Sequence, residues 1–235
     1  MEGCYHSRHS IRAHAYVKFK IDCSVYSAYL YRSFFSPYGT DPMSRIIYQA
    51  SVQAFNHNLK NLSAILKVAA KDAKARGIDS TVILSSRLAP DMLPLTRQVQ
   101  IATDHAKGAC ARLAGVESPV FKDDEATFAD LEARIKKTQT FIRGLKAPQF
   151  EDSENREIML KLPVGTLSFD GLNYLNGWAL PNFYFHLTTA FDILRHNGVK
   201  VGKGDFIGKV PGMKATGKIA KMMGIKAASK PAKKG

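Results

Sequence analysis

The central part of the chain contains four histidines, the side chains there that are best suited to catalysis or metal binding. An imidazole can bind a transition metal through a neutral ring nitrogen, or it can act as a general acid or base near neutral pH. His105 and His186 fall on the apolar faces of two helical repeats, so we expect both to face the seam of a helical bundle. His57 points away from its apolar stripe and is interpreted as a surface residue, and His196 as a partner of a helix C-terminus.

Two interpretations of the His105–His186 pair are open from spacing alone. In one, the two rings bind a divalent metal ion (Zn, Ni or Fe), although such sites need three or more ligands. Neither Asp104, turned about 100° around the helix from His105, nor the amide of Gln98 is an obvious third ligand. In the other interpretation they are hydrogen-bonded core histidines, bonded to each other or to Thr189.

Other chemical motifs are missing from the sequence. It contains no glycine-rich phosphate loop, no nucleophile elbow and no CxxC pair, so it leaves enzymatic activity open. Cys4, Cys23 and Cys110 have no pairing or metal-type spacing, which favours a reducing compartment and a cytoplasmic location. Cys110 follows small residues in a helical pattern and is interpreted as a small buried hydrophobe. No run of about 18 apolar residues predicts a membrane-spanning helix.

The net charge of +14 is concentrated at the C-terminal end. Residues 209–235 contain eight lysines and no acidic residue, so the high isoelectric point is weak evidence that the folded part binds nucleic acid. We expect contact with nucleic acid or an acidic surface only through this tail, and only weakly. Its glycine, proline, alanine and lysine composition favours disorder.

The composition also changes near residue 43. Residues 1–42 contain six of the nine tyrosines without a lasting helical or strand period, so we interpret them as a weakly ordered N-terminal extension. The sequence therefore predicts one domain over 43–208, between this extension and the basic tail.

Within that domain the apolar residues recur at three- and four-residue steps in four segments. They predict an all-α fold with helices near 45–76, 91–114, 124–145 and 170–195. Pro181 is expected to kink or split the last helix. Alternating apolar residues on either side of a Pro163-Val164-Gly165 turn predict a small β-hairpin just before that helix.

Four segments of the domain resemble an uncharacterised domain-of-unknown-function family within the DinB/YfiT-like four-helix superfamily of metalloenzymes. The resemblance covers about 43–208 and neither end of the chain. It implies an up-down four-helix bundle with a hairpin before the last helix. The segments are 87–92 (RLAPDM), 98–108 (QVQIATDHAKG), 180–190 (LPNFYFHLTTA) and 192–198 (DILRHNG).

The resemblance also implies a set of metal ligands. The superfamily has one metal-binding histidine on its second helix and an H-x-x-x-H pair on its fourth. His105 matches the first position and His186 the first of the pair, but Ala190 stands where the second would be. Some members catalyse metal-dependent thiol transfer, an activity that fold alone does not carry over.

Three functions compete at this point. The chain is a DinB-like protein with a degenerate divalent-metal site on His105 and His186, or a non-catalytic bundle that binds a small apolar ligand or forms a homodimer. The third function concerns the tail, which would dock weakly on nucleic acid or an anionic membrane surface.

Overall fold

The computed structural model of the chain describes residues 42–222, with side chains to residue 220. The predicted extension, except its last residue, and residues 223–235 of the predicted tail lie outside the described residues. The described chain is mostly helical with one two-stranded hairpin. The prediction of an all-α four-helix bundle with a small β-hairpin is confirmed. No helix among the described residues is long and apolar enough to cross a membrane.

Helix α1 is the first long helix of the bundle. It comprises Pro42–Tyr48, a π-helical segment Gln49–Gln53 and Ala54–Ala75. The backbone of Tyr48 and of Ala54 stays right-handed helical at both junctions, so the three pieces form one continuous helix. The helix ends at Gly77, whose φ of 67° is the left-handed conformation that glycine adopts at helix C-termini. The predicted inner stripe is buried: Ile47, Phe55, Leu59, Leu62, Leu66 and Ala69.

A short helix and a second long helix follow. Helix α2 is Ser80–Ser85, and the Asp79 carboxylate caps it by accepting a hydrogen bond from the Thr81 amide at 2.9 Å. Helix α3 is Leu95–Ala114, which begins four residues later than predicted because Pro94 is its extended N-cap. Its predicted inner face is completely buried: Leu95, Val99, Ala102, Ala106, Ala109 and Leu113.

Helix α4 is Phe128–Gly144. It begins later than the predicted residue 124, because Thr127 and Asp130 form a capping box in which each side chain bonds the other's backbone amide. Asp123 instead forms ion pairs with Arg97 at 2.6 Å and Arg134 at 3.0 Å. Thr127 and Asp130 therefore fix the start of this helix.

The hairpin and the last long helix are joined without a loop. Strands β1 (Glu157–Leu162) and β2 (Gly165–Asp170) are antiparallel, and Ile158 and Leu160 of β1 are buried. The Asp170 carboxylate then caps helix α5 by accepting from the Asn173 amide at 2.8 Å. This hairpin and helix start agree with the predicted boundaries.

Helix α5 comprises Gly171–Asn173, a π-helical segment Tyr174–Ala179 and Leu180–His196. The Leu180 amide bonds to the Leu175 carbonyl five residues earlier, which gives the wide turn. Pro181 follows directly: its ring would collide with the carbonyl of Gly177 in a regular α-helix. The irregularity predicted at Pro181 is therefore a π-helical turn just before it.

The directions of α1, α4 and α5 follow from their contacts. The rings of Phe55 and Phe183 lie 4.8 Å apart, and Arg76 donates to the Asn197 carbonyl at 3.0 Å, so α1 and α5 are parallel. Helix α4 runs antiparallel to α1. Its contacts are Gln139 Nε2 to the Asn56 carbonyl at 3.1 Å and Glu132 to Lys67 at 3.6 Å.

Helix α3 packs antiparallel to α5, with Gln98 beside His186 and Arg112 beside Tyr174. The long helices therefore run up, down, down and up. This order differs from strict up-down alternation because the connection over 115–127 runs back along α3, with Phe121 beside Lys107 and Asp123 beside Arg97, so that α4 starts at the same end of the bundle as α3.

Two short helices follow the bundle. Helix α6 is Lys203–Ile207, and Asn61 of α1 donates to the carbonyls of Phe206 and Ile207, at 3.1 and 2.8 Å. His57 also lies against Ile207, with its Nε2 2.8 Å from that carbonyl, so its ring is partly buried rather than on the open surface. Helix α7 is Gly217–Met222, in the first half of the basic tail.

Candidate functional site

His105 of α3 and His186 of α5 meet on the seam between the two antiparallel helices. Their ring centroids are 5.8 Å apart and their planes differ by only 17°, so the rings are stacked. Both side chains are partly buried, at the edge of the core rather than in its centre. The structure thus brings together the two histidines that the sequence singled out.

Gln98 fixes the orientation of His186. Its Nε2 donates to the Leu93 carbonyl at 2.9 Å, so its Oε1 faces the imidazole and accepts from Nδ1 of His186 at 2.7 Å. Nδ1 therefore carries the proton, and Nε2 has the free lone pair. The hydrogen-bond partner of His186 is this amide and not Thr189, the partner considered from the sequence.

Both imidazoles are held neutral. Burial lowers the pKa of His105 to about 4, helped by the nearby His186 and Arg112 and opposed by the Asp104 carboxylate. Burial also lowers the pKa of His186. Neutral imidazoles keep the lone pairs that metal binding or proton acceptance requires, so at neutral pH the pair consists of two bases without charge.

A buried arginine draws the Asp104 carboxylate toward α4. The Arg134 guanidinium contacts Asp104 at 2.7 Å, Asp123 at 3.0 Å and Glu125 at 3.0 Å, and its Nε donates to Thr103 Oγ1 at 2.7 Å. These acids raise the pKa of Arg134 although burial opposes its charge. The network ties α3, α4 and the loop before α4 together, and it engages the acid next to His105.

A second arginine lies on the α3–α5 seam. Arg112 is seven residues after His105, on the same face of α3, and its Nη1 donates to the Tyr174 hydroxyl at 3.0 Å. Gly108 lies between the two along the helix. A Cβ at position 108 would stand only 2.6 Å from Arg112 Nη1, so the missing side chain makes room for the guanidinium.

Aromatic side chains of α5 flank the same seam. Phe185 packs edge-on against His186, with ring centroids 5.2 Å apart, and is 56% exposed. Trp178 and Tyr174 both pack on Phe169 of the hairpin, at 5.8 and 6.0 Å. The helix therefore supplies core aromatics and also a partly exposed aromatic border beside the histidines.

His105 and His186 are two possible nitrogen ligands for a metal ion, and a third ligand is not grouped with them in the described part of the chain. Within residues 42–222, no three His, Cys, Asp or Glu side chains are grouped so that they could hold a metal ion. Ala190, one turn after His186, is completely buried and offers a methyl group where the superfamily pattern has a histidine. Cys110 is completely buried and burial raises the pKa of its thiol, which agrees with its prediction as a hydrophobe. The two neutral imidazoles thus offer two nitrogen donors, fewer than the three protein ligands of a catalytic zinc site.

The roles of Gln98, Arg112 and Arg134 in this region were not predicted from the sequence. Gln98 was considered only as a ligand, whereas its role is to orient His186. The position of the Arg112 guanidinium could have been inferred from Gly108, which lies one turn before Arg112 and leaves space beside the helix for a large side chain. The burial of Arg134 has no local signal, because its carboxylate partners lie on other elements.

Comparison with known proteins shows that this is a DinB-like helical protein. Residues 47–207 match the family described as Domain of unknown function (DUF1993), and the chain belongs to that family. It is also similar to the crystal structure of a DinB family member protein from Shewanella denitrificans. The identity is 40% and the TM-score 0.69, over 74% of this chain and 97% of that chain. No curated protein matches the chain.

Proposed function

We propose that His105 and His186 bind one divalent transition-metal ion (Zn, Ni or Fe) as an open and exchangeable two-histidine site. The observation that carries this proposal is the convergence of two neutral imidazoles from facing helices, 5.8 Å apart between ring centroids. Bundle interiors commonly build metal sites in this way, from side chains on facing helices.

The histidines and Gln98 have different roles in this site. His186 offers Nε2, because Gln98 holds the proton on Nδ1. Such an acceptor behind a ligating histidine fixes the ring and increases its basicity. Coordination positions beyond the two histidines would be taken by water or by a ligand molecule. The bound ion would supply Lewis-acid chemistry to whatever occupies those positions.

Metal titration of the tag-free full-length chain tests the proposal. After removal of metal with EDTA, zinc is titrated in competition with a chromophoric chelator. We expect about one zinc per chain, with affinity at least tenfold lower in His105→Ala and in His186→Ala. His196→Ala is the matched control, because it removes an exposed imidazole from the end of α5 and should leave binding unchanged.

A gain-of-function variant gives an independent check. Ala190→His restores the third histidine of the superfamily pattern and should tighten zinc binding at least tenfold. Ala190→Leu adds comparable volume without a ligand and should not. Absence of zinc binding by the wild-type chain, or equal binding by all the histidine variants, would refute the site.

A second candidate function is binding of a small apolar ligand, and it rests on a different surface. A groove of about 510 Å³ lies along α4 and the loop before it, lined by Pro119, Phe121, Ala133, Thr140 and Phe141 beside Lys136 and Lys137. The Ala133→Trp variant should fill this groove and abolish binding of a naphthalene sulfonate dye, whereas Ala133→Ser should not. Equal dye binding by both variants would argue against it.

A further inference from the structure

Arg112 is a cation on the seam with an uncommitted hydrogen-bonding capacity. A guanidinium has five N–H donors, and the structure gives one hydrogen bond from Arg112, to the Tyr174 hydroxyl. Among residues 42–220, no carboxylate forms an ion pair with it. Its side chain is exposed, so the free donors face solvent along the seam.

Local structure directs the guanidinium toward the histidines. The side chain lies back over Gly108, where Nη1 fills the space of a missing Cβ. Gly108 is one turn from His105, so the guanidinium lies on the side of Arg112 that faces the histidine pair. The Tyr174 hydroxyl and the Tyr174 ring, 5.9 Å from the guanidinium carbon, hold it from the α5 side.

The electrostatics of the seam favour an anion. The nearest acid to His105, Asp104, is engaged by Arg134 at 2.7 Å and Lys107 at 3.0 Å. Arg112, with no carboxylate partner among the described residues, therefore supplies an unpaired positive charge to this part of the seam.

The surroundings also indicate the shape of the ligand. Tyr174 is only 1% exposed, so it holds Arg112 from the core side. At the histidine end of the seam, Phe185 packs edge-on against His186 and is 56% exposed. A planar guanidinium pairs with a carboxylate through two parallel hydrogen bonds. The Phe185 and histidine rings suit a flat apolar body on that carboxylate.

We propose that the α3–α5 seam binds a small aryl carboxylate, with Arg112 as the anchor of the carboxylate group and the body of the ligand lying toward His105 and His186. This inference deepens the proposed function. The carboxylate anchor does not depend on the metal site, but the position of the ligand body beside a metal on His105 and His186 rests on it. Arg112 itself is an anchoring residue and not a metal ligand.

Calorimetric titration with benzoate tests the anchor in the metal-free full-length chain. We expect benzoate to bind and its neutral analogue benzamide not to bind. Arg112→Met keeps the length of the side chain without the charge and should weaken benzoate binding at least tenfold, and Arg112→Lys should weaken it by a smaller factor. Arg143→Met, on α4, removes the same charge away from the seam and should bind like the wild type.

Three results would overturn the inference: no benzoate binding, equal binding of benzoate by Arg112→Met, or equal binding of benzamide by the wild type. Tighter binding of inorganic phosphate than of benzoate would also contradict an aryl carboxylate. Gly108→Ala gives a second test, since its Cβ displaces the guanidinium and should weaken benzoate binding without unfolding the chain.

Zinc titration of Arg112→Met separates the two proposals. Zinc binding equal to wild type, with benzoate binding lost, supports both of them. Arg112-dependent benzoate binding in a chain that binds no zinc would refute the metal site and leave the carboxylate site in place.

Discussion

Gln98 decides which nitrogen of His186 is available. The amide is itself fixed by the Leu93 carbonyl, so the chain Leu93–Gln98–His186 sets the tautomer without any charged group. Neutral partners of this kind leave the imidazole uncharged at neutral pH, whereas a carboxylate would favour its protonation. The seam therefore presents a lone pair and not a cation at Nε2 of His186.

The depressed pKa of His105 has a measurable effect on stability. Burial holds the folded-state pKa near 4, whereas an unfolded histidine titrates near 6.5. Below pH 6.5 the unfolded chain therefore takes up a proton that the folded chain does not, so stability is fully present above that pH and declines down to about pH 4.

We expect the free energy of unfolding of the metal-free chain to fall by about 2 kcal/mol more between pH 7.5 and 5 in the wild type than in His105→Gln. Urea denaturation at the two pH values measures this difference. The comparison cancels the contributions of other titrating groups, so identical pH dependence in the two proteins would show that His105 is not buried as described.

At the scale of elements, the sequence predicted the helices better than the irregular parts within them. The buried stripes of α1, α3 and α4 repeat every three to four residues, and that local period is what a sequence displays. The π-helical segments Gln49–Gln53 and Tyr174–Ala179 preserve the apolar pattern on either side, so the pattern does not reveal them. The histidine pair of the site could be predicted from the sequence. The orientation of His186 by Gln98 could not, because it depends on a contact between two residues that are 88 positions apart in the chain.

Gly171 provides a prediction about the junction of hairpin and helix. A Cβ at this position would overlap the backbone carbonyl oxygen of Ser153, which has little freedom to move. Gly171→Ala should therefore lower the free energy of unfolding by about 1–3 kcal/mol. An alanine elsewhere in a helix normally has the opposite effect, because glycine is a poor helix former.

Gly177→Ala is the matched control in the same helix. Nothing lies within 4 Å of a Cβ at position 177, so this variant should be unchanged or more stable by up to about 1 kcal/mol. Urea denaturation of both variants measures the contrast. Destabilisation of the same size in both would mean that helix geometry, and not the Ser153 carbonyl, determines the effect.

At the scale of the whole molecule, the Arg134 network attaches the loop before α4 to α3 and α4. Its carboxylates come from α3 and from the loop before α4, and the Arg134 side chain is 1% exposed. Lys107 and Arg134 also stack on Phe121 of that loop, at 5.1 and 5.6 Å from the ring centroid. Removal of the cation would leave the nearly buried Glu125 carboxylate without its ion-pair partner and with the Gln100 amide as its remaining donor.

Arg134→Met should therefore lower the free energy of unfolding by about 3 kcal/mol, near the lower end for a broken buried ion pair because Asp104 and Asp123 reach solvent. Lys137→Met is the control, since it removes an exposed cation one turn along the same helix. Chemical denaturation measures both, and a loss below 1 kcal/mol in Arg134→Met would show that the network adds little.

The up-down-down-up order of the long helices has a consequence for how the chain folds. Helix α5 packs on α1 and α3 through residues as far apart in sequence as Arg76 and Asn197, 121 positions, and Gln98 and His186, 88 positions. Closing such long loops costs conformational entropy and slows folding. During synthesis, α1, α3 and α4 emerge first, and the histidine pair can assemble only when the last long helix docks between its two neighbours.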